Sequence, residues 1–146
     1  MVELRPSTSA DVPRLFEIWR GAVLATHHFL SPDDFAEIER LVRDDYLPAA
    51  QFTVAADGGR VLGFMGLTAA HVDALFVDPA AHGRGVGRAL IEAARRERGP
   101  LTVDVNAQNA SGAGFYEKMG FRQTGRSETD DAGRPYPILH LADEAA

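Results

Sequence analysis

One stretch constrains this chain more than any other. Ala74-Leu75-Phe76-Val77-Asp78-Pro79 runs through two alanines into His82-Gly83-Arg84-Gly85-Val86-Gly87-Arg88-Ala89-Leu90. An apolar, β-favouring run stops at a proline and a short loop follows. A glycine-spaced turn then opens an amphipathic helix with Ala89, Leu90, Ala93 and Ala94 on its inner side. Strand, glycine loop and helix N-terminus in that order suit an anion. The first N–H groups of a helix have no partner within it, and the aligned peptide dipoles add partial positive charge there. Glycines remove the Cβ atoms that would hold a phosphate away from those amides.

Glycine spacing alone does not choose the anion. A dinucleotide fingerprint G-x-G-x-x-G begun at Gly83 or Gly85 fails, because its last glycine would fall on Arg88 or Leu90. A P-loop fails too, since Gly87-Arg88-Ala89 supplies neither the lysine nor the hydroxyl. What remains is x-x-x-G-x-G after a strand ending in Val-Asp-Pro. Further along comes Asn109-Ala110-Ser111-Gly112-Ala113-Gly114-Phe115-Tyr116-Glu117-Lys118-Met119-Gly120-Phe121. The two motifs, in that order and spacing, resemble the GNAT superfamily of N-acetyltransferases, which bind acetyl-CoA. The resemblance extends over almost the whole chain. Ala25-Thr26-His27-His28-Phe29-Leu30-Ser31 and Thr124-Gly125-Arg126-Ser127-Glu128 are similar to phrases of one small bacterial subfamily.

Composition narrows the partners. At 146 residues the chain suits a single domain over 1–146, with roughly two-thirds of its unfolded surface buried. A net charge of −6 and the lack of a Lys/Arg run argue against nucleic acid. The acidic balance favours a cationic acceptor, or simply keeps the surface solvated. There is no cysteine, hence no disulfide and no cysteine acyl-enzyme, which suits a reducing compartment. No apolar run is long enough for a membrane span, and Met1-Val2-Glu3-Leu4-Arg5 lacks a signal-peptide core. The expectation is a cytoplasmic protein, monomer or homodimer, with no membrane or nucleic-acid partner.

Read in order, Val2 to Arg5 is a short strand, and Thr8 or Ser9 caps a helix with Pro13 near its start. Val12, Leu15, Phe16, Trp19, Ala22 and Val23 form one apolar face, with Trp19 in the core. Ser31-Pro32-Asp33-Asp34 opens a second helix, which Pro48 ends. Gln51 to Ala56 and Val61 to Leu67 are strands of a hairpin, and His71 to Val77 is the next strand. A helix from Arg84 to Arg98, a strand from Leu101 to Val105 and a helix ending on Gly120 follow. Phe121 to Ser127 and Tyr136 to Leu141 are the last strands, and Ala142 to Ala146 is a tail. The order β-α-α-β-β-β-α-β-α-β-β predicts an α/β (α+β) mixed sheet of about seven strands with four helices on both faces, as in GNAT members.

The resemblance implies a mechanism. In the family, the strands matching His71 to Val77 and Leu101 to Val105 begin paired and then splay, helped by a β-bulge on the first. The pantetheine arm takes the place of a strand against the freed backbone. The cofactor would then lie along Leu75, Phe76 and Val77, with Val77 backbone bonding the pantetheine and the Leu75 N–H polarising the acetyl carbonyl. His82, Gly83, Arg84, Gly85, Val86, Gly87, Arg88 and Ala89 would cradle the pyrophosphate. The family usually has Gln or Arg where His82 stands, and a histidine is largely neutral at pH 7. The grip therefore falls to backbone amides, with Arg84 and Arg88 either charge partners or solvated surface.

Tyr116 matches the family's general acid, since a phenol can hand its proton to a departing thiolate of similar basicity. The alternative is a core aromatic beside Phe115. Asn109 matches a helix cap that also contacts the cofactor, or is a cap alone. Many members carry Glu where His71 stands. A neutral imidazole with a reference pKa near 6.5 suits a base, and Asp73, on the same strand face, could set its tautomer. A strand-end histidine bonded to backbone is the alternative. His27, His28 and Phe29 lie in a loop that borders the acceptor site in the family, and with Asp73 they are the expected acceptor-binding residues. Glu128, Asp130 and Asp131 attract an amine or serve their own turn. No metal ligand set stands at suitable spacing. The implied reaction is acetyl transfer from acetyl-CoA to a primary amine of a small molecule or peptide, by direct attack in a ternary complex. A catalytically weak CoA-binding sensor or interaction module, and an O-acyltransferase, are the alternatives.

Overall fold

The computed structural model describes residues 2–143. Its elements are β1 (Glu3–Pro6), α1 (Val12–Thr26), α2 (Pro32–Leu41), the single turn α3 (Leu47–Ala49), β2 (Thr53–Asp57), β3 (Arg60–Thr68) and β4 (His71–Val77). Then come α4 (Val86–Arg98), β5 (Thr102–Asn106), α5 (Ala110–Lys118), β6 (Phe121–Ser127) and β7 (Ile138–Asp143). The expected element order holds apart from the added single turn α3, as does the mixed sheet, whose strands run β1-β2-β3-β4-β5-β7-β6. Two compact units divide the chain. One takes the N-terminal part through Gly66 with Ala74–Glu92; the other takes Leu67–Asp73 and the chain from Ala93 onward.

In the first unit β1, β2 and β3 pair antiparallel, from Glu3↔Ala56 to Pro6↔Thr53 and from Thr53↔Met65 to Asp57↔Arg60. The β2–β3 turn is Gly58-Gly59, at φ +61° and +83°. Both central residues of a type I′ turn need positive φ, which glycine adopts without steric cost. Ahead of α1 the Thr8 N–H donates to Asp11 Oδ2 at 2.8 Å, one half of a capping box. Two 2.9 Å bonds from Arg5 hold the same carboxylate. That guanidinium, assisted by the Thr8 N–H, brings the Asp11 pKa down to about 2.

Leu15, Ile18, Trp19 and Val23 of α1 are buried with Leu47, Phe52, Val54, Ala56, Val61 and Phe64. Such side chains contribute about 1.5–3 kcal/mol each when fully buried. Trp19 stacks between Phe16 at 5.9 Å and Phe35 at 6.0 Å, as a core residue. Ser31 caps α2, its Oγ accepting the Asp34 N–H at 3.1 Å. The helical path does not end at Pro48. It widens into a π-turn over Val42–Tyr46, and Pro48 then falls inside α3, one residue before the path ends at Ala49.

In the second unit β7 pairs antiparallel with β5, from Thr102↔Ala142 to Asn106↔Ile138, and with β6, from Phe121↔Asp143 to Ser127↔Ile138. The parallel β4–β5 ladder comprises only His71↔Thr102 and Val72↔Val103, as short as the expected splay requires. The tail expected from Ala142 is a correction: Ala142 and Asp143 complete β7, and Glu144 to Ala146 lie outside the described residues. Asp143 explains the extension. It is buried, accepts from Arg95 Nη2 at 2.5 Å and Nε at 3.2 Å, and takes the Leu101 N–H at 2.8 Å. Arg95 also lies over the Phe121 ring, 5.0 Å from its centroid.

Candidate active site

After β4 the chain makes a 3-10 turn over Pro79–Ala81 and a glycine loop before α4. The helix begins at Val86 rather than at Arg84. Gly83 and Gly85 hold φ at +82° and +76°, outside the right-handed helical region. No protein atom lies within 4 Å of where either Cβ would stand, so open space faces the loop. Ala89 N–H makes the first helical bond, to Gly85 O at 3.0 Å. The N–H groups of Gly83, Gly85, Val86, Gly87 and Arg88 have no acceptor among the described residues. This is a run of amides able to hold an anion.

The neighbouring side chains are otherwise engaged. Arg84 Nη2 donates to Asp57 Oδ2 at 2.7 Å, and Arg88 Nε to Glu92 Oε1 at 2.8 Å. His82 is exposed. Leu75, Phe76 and Val77 are half-buried at the end of β4, with the Phe76 ring 5.6 Å from Phe64. Sequence reasoning missed Gly63. A Cβ there would stand 2.9 Å from Val86 Cγ1 and 3.0 Å from Phe76 O, so the bare backbone of β3 makes room for the first residue of α4. An isolated glycine in an apolar strand run was the available signal.

Tyr116 is 7% exposed, edge-on to Phe115 at 5.2 Å and to Phe121 at 5.4 Å. Burial pushes its phenol pKa up, which keeps the proton in place. Its hydroxyl has no hydrogen-bond partner among the described residues. Yet no described side-chain polar atom is both sealed from solvent and unpartnered, so the Tyr116 oxygen keeps contact with solvent. Asn109 caps α5, its Oδ1 accepting the Gly112 N–H at 3.0 Å.

His71 Nδ1 lies 2.7 Å from Thr102 Oγ1. The carboxylate beside it is Asp104, whose Oδ2 is 3.6 Å from His71 Nε2. Asp73 does not set the tautomer: its Oδ2 takes the Thr68 hydroxyl at 2.5 Å instead. His27 Nδ1 lies 2.7 Å from Thr26 Oγ1 and its ring 5.2 Å from that of Phe29, while His28 Nε2 donates to Ala25 O at 3.0 Å. Burial, then the neighbouring His28, lowers the His27 pKa. Asp130 binds its own turn through Ala132 N–H and Arg134, and Glu128 pairs with Arg126. Among the described residues no group of three or more His, Cys, Asp or Glu could hold a metal ion, and no helix is long and apolar enough to cross a membrane.

The family model for an acetyltransferase (GNAT) domain matches residues 48–123, a span that includes β4, the glycine loop and Tyr116. The chain belongs to the GNAT acetyltransferase family. This acetyltransferase is 49% identical over 142 residues to the peptidyl-lysine N-acetyltransferase YjaB of Salmonella typhimurium, covering 97% of both chains. It is 47% identical over 143 residues to the Escherichia coli protein of the same name, again covering 97% of each. The solution structure of apo-form YjaB from Escherichia coli superposes with a TM-score of 0.94 at 46% identity, over 100% of this chain and 99% of that one.

Proposed function

We propose that this acetyltransferase moves an acetyl group from acetyl-CoA to the side-chain amine of a lysine in a peptide, by direct attack in a ternary complex. The observation that carries the reading is the set of unpartnered amides of Gly83, Gly85, Val86, Gly87 and Arg88 on an open loop, a fit for a pyrophosphate. The lysine acceptor is supported by the names of the two relatives at 49% and 47% identity.

Bound acetyl-CoA supplies an activated thioester. The loop amides would hold its pyrophosphate, with His82 adding a hydrogen bond and Asn109 a second contact. The backbone of Leu75, Phe76 and Val77 would align the pantetheine, and the Leu75 N–H would polarise the acetyl carbonyl. Tyr116 would donate its proton to the sulfur as the thiolate leaves. A lysine holds its own proton by roughly three pKa units at neutral pH, about 4 kcal/mol, and His71 would accept it. His27, His28 and Phe29 would border the acceptor.

The test is thiol release from acetyl-CoA with a lysine peptide, alongside a mass gain at that lysine. The expected result is faster release with the peptide than with free amino acids or polyamines. Turnover confined to small amines would replace the acceptor. Coenzyme A binding without turnover on any amine would leave a binding module.

A further inference from the structure

Five polar side chains stand in a row across β4, β5, β7 and β6 of the second unit: His71, Thr102, Asp104, His140 and Ser127. Asp104 joins two histidines unequally. Its Oδ1 is 2.7 Å from His140 Nδ1, whereas its Oδ2 is 3.6 Å from His71 Nε2. An ionised carboxylate only accepts, so the short contact puts the proton on His140 Nδ1. Neutral His140 then offers a lone pair at Nε2, where the Ser127 hydroxyl donates at 2.7 Å. Ser127 and His140 thus hold Asp104 from behind through one oxygen. The other oxygen has no hydrogen-bond partner among the described residues, since 3.6 Å is too long for such a bond.

We propose that Asp104 Oδ2 and His71 Nε2 form a seat for the ammonium group of the acceptor, resting on the transferase reading above. On the far side of the imidazole, Thr102 Oγ1 lies 2.7 Å from Nδ1 and can accept its N–H. That tautomer turns the Nε2 lone pair toward Asp104. Two acceptors 3.6 Å apart are bridged by one donor nitrogen at about 2.8 Å from each. A primary ammonium has the N–H groups to do so, and the carboxylate makes both contacts charge-assisted. The His71 and Asp104 side chains are 36% and 46% exposed, so a ligand reaches them. One ammonium proton passes to Nε2, leaving an imidazolium beside Asp104 and a neutral nitrogen with a free lone pair. Asp73, the other acid near His71 in sequence, is held by Thr68 and takes no part.

Imidazole nitrogen and proton shifts in the 15N-labelled protein test the seat without turnover. Titration with n-butylammonium chloride should give saturable shifts at His71. Tetramethylammonium chloride at equal ionic strength has the charge but no N–H, and should give none. Asp104→Asn should weaken the butylammonium response at least tenfold. An equal response to both cations, or an unchanged response in Asp104→Asn, overturns the seat. In turnover with a lysine peptide, Asp104→Asn should raise the peptide KM at least tenfold and leave the acetyl-CoA KM unchanged. Should that variant not fold, Thr102→Val removes the partner of Nδ1 and should lower kcat more than it alters KM. Wild-type turnover with an unchanged peptide KM in Asp104→Asn overturns the seat alone. His71 shifts without any wild-type turnover support the seat and overturn the transferase reading.

Discussion

Arg14 Nη2 meets Asp78 Oδ2 at 2.6 Å, tying α1 to the residue that follows β4. Arg14 Nε also donates to Val61 O at 3.0 Å, and Asp78 accepts the Ala80 N–H at 2.9 Å. Asp78 N–H in turn reaches Leu62 O at 2.8 Å. The chain therefore leaves β4 for the glycine loop along a fixed course. Both side chains are mostly removed from water, at 19% and 17% exposure, and Arg14, then the Ala80 N–H, lowers the Asp78 pKa. Asp78→Ala should cost about 1–3 kcal/mol, because it leaves the Ala80 N–H and Arg14 Nη2 without their acceptor, while Glu17 and Val61 O keep the rest of the guanidinium. Asp78→Asn should cost less, since an amide oxygen still accepts from Ala80. A depressed carboxyl pKa contributes stability that is present above the unfolded value near 3.9 and lost as pH falls through the folded one. Urea unfolding of the three proteins between pH 7 and 3 checks both claims; equal slopes in wild type and Asp78→Ala would reject the second.

Gly63→Ala should disturb the cofactor loop from behind. The new methyl would press on Val86 Cγ1 and Phe76 O, at 2.9 and 3.0 Å. Overpacking of this kind costs about 1–3 kcal/mol. Acetyl-CoA affinity should fall with stability, measurable by calorimetry and thermal melting. Unchanged affinity would separate Val86 from the binding surface.

Gly87→Val tests the loop from the front. Gly87 lies inside α4 without a positive φ, so valine brings no left-handed backbone strain, and the helix-propensity change is below about 1 kcal/mol. The fold should survive and acetyl-CoA binding should be lost. Wild-type affinity by calorimetry would remove the amides from the pyrophosphate site.

Tyr116→Phe keeps the ring between Phe115 and Phe121 and removes a hydroxyl with no described partner. Stability should change by less than about 0.5 kcal/mol, and kcat should fall roughly ten- to a thousandfold at similar acetyl-CoA affinity. Full turnover would make Tyr116 a packing residue only.

His27 gives the connection between α1 and α2 an acid sensitivity. Its pKa is lowered by burial, so the folded state favours the neutral ring. The sign follows: the contribution is fully present above the unfolded value near 6.5 and is lost as pH falls through the lower folded one. His27→Gln should flatten the slope of stability against pH just below 6.5. A slope equal to wild type would place the sensitivity elsewhere.

The features legible in the sequence are those set by short-range chemistry. The strand, loop and helix from Ala74 to Leu90 follow from a proline, two glycines at positive φ and helical spacing. Ser31 and Asn109 were readable as caps because a cap reaches only a few residues along the chain. What failed was choice of partner across strands. Period-two alternation puts Asp73 on the face of His71 but says nothing of which strand lies alongside, and the carboxylate there is Asp104. Asp143 failed for the same reason. No apolar alternation marks Ala142 and Asp143 as strand, and Arg95, whose charge makes burial of that carboxylate tolerable, is 48 residues away in sequence.

β7 lies between β5 and β6 although it follows both in the chain. During synthesis β5 and β6 are therefore made before the strand that separates them, and each carries an open edge until β7 arrives. Direct pairing of those two edges is a misfolded alternative available to the nascent chain alone. β6 joins β7 through a connection far shorter than the one from β5, so loop closure favours a β6–β7 hairpin that then docks on β5. Slowed translation through the connection before Ile138 would prolong exposure of the two edges and raise aggregation of this unit without altering the finished protein.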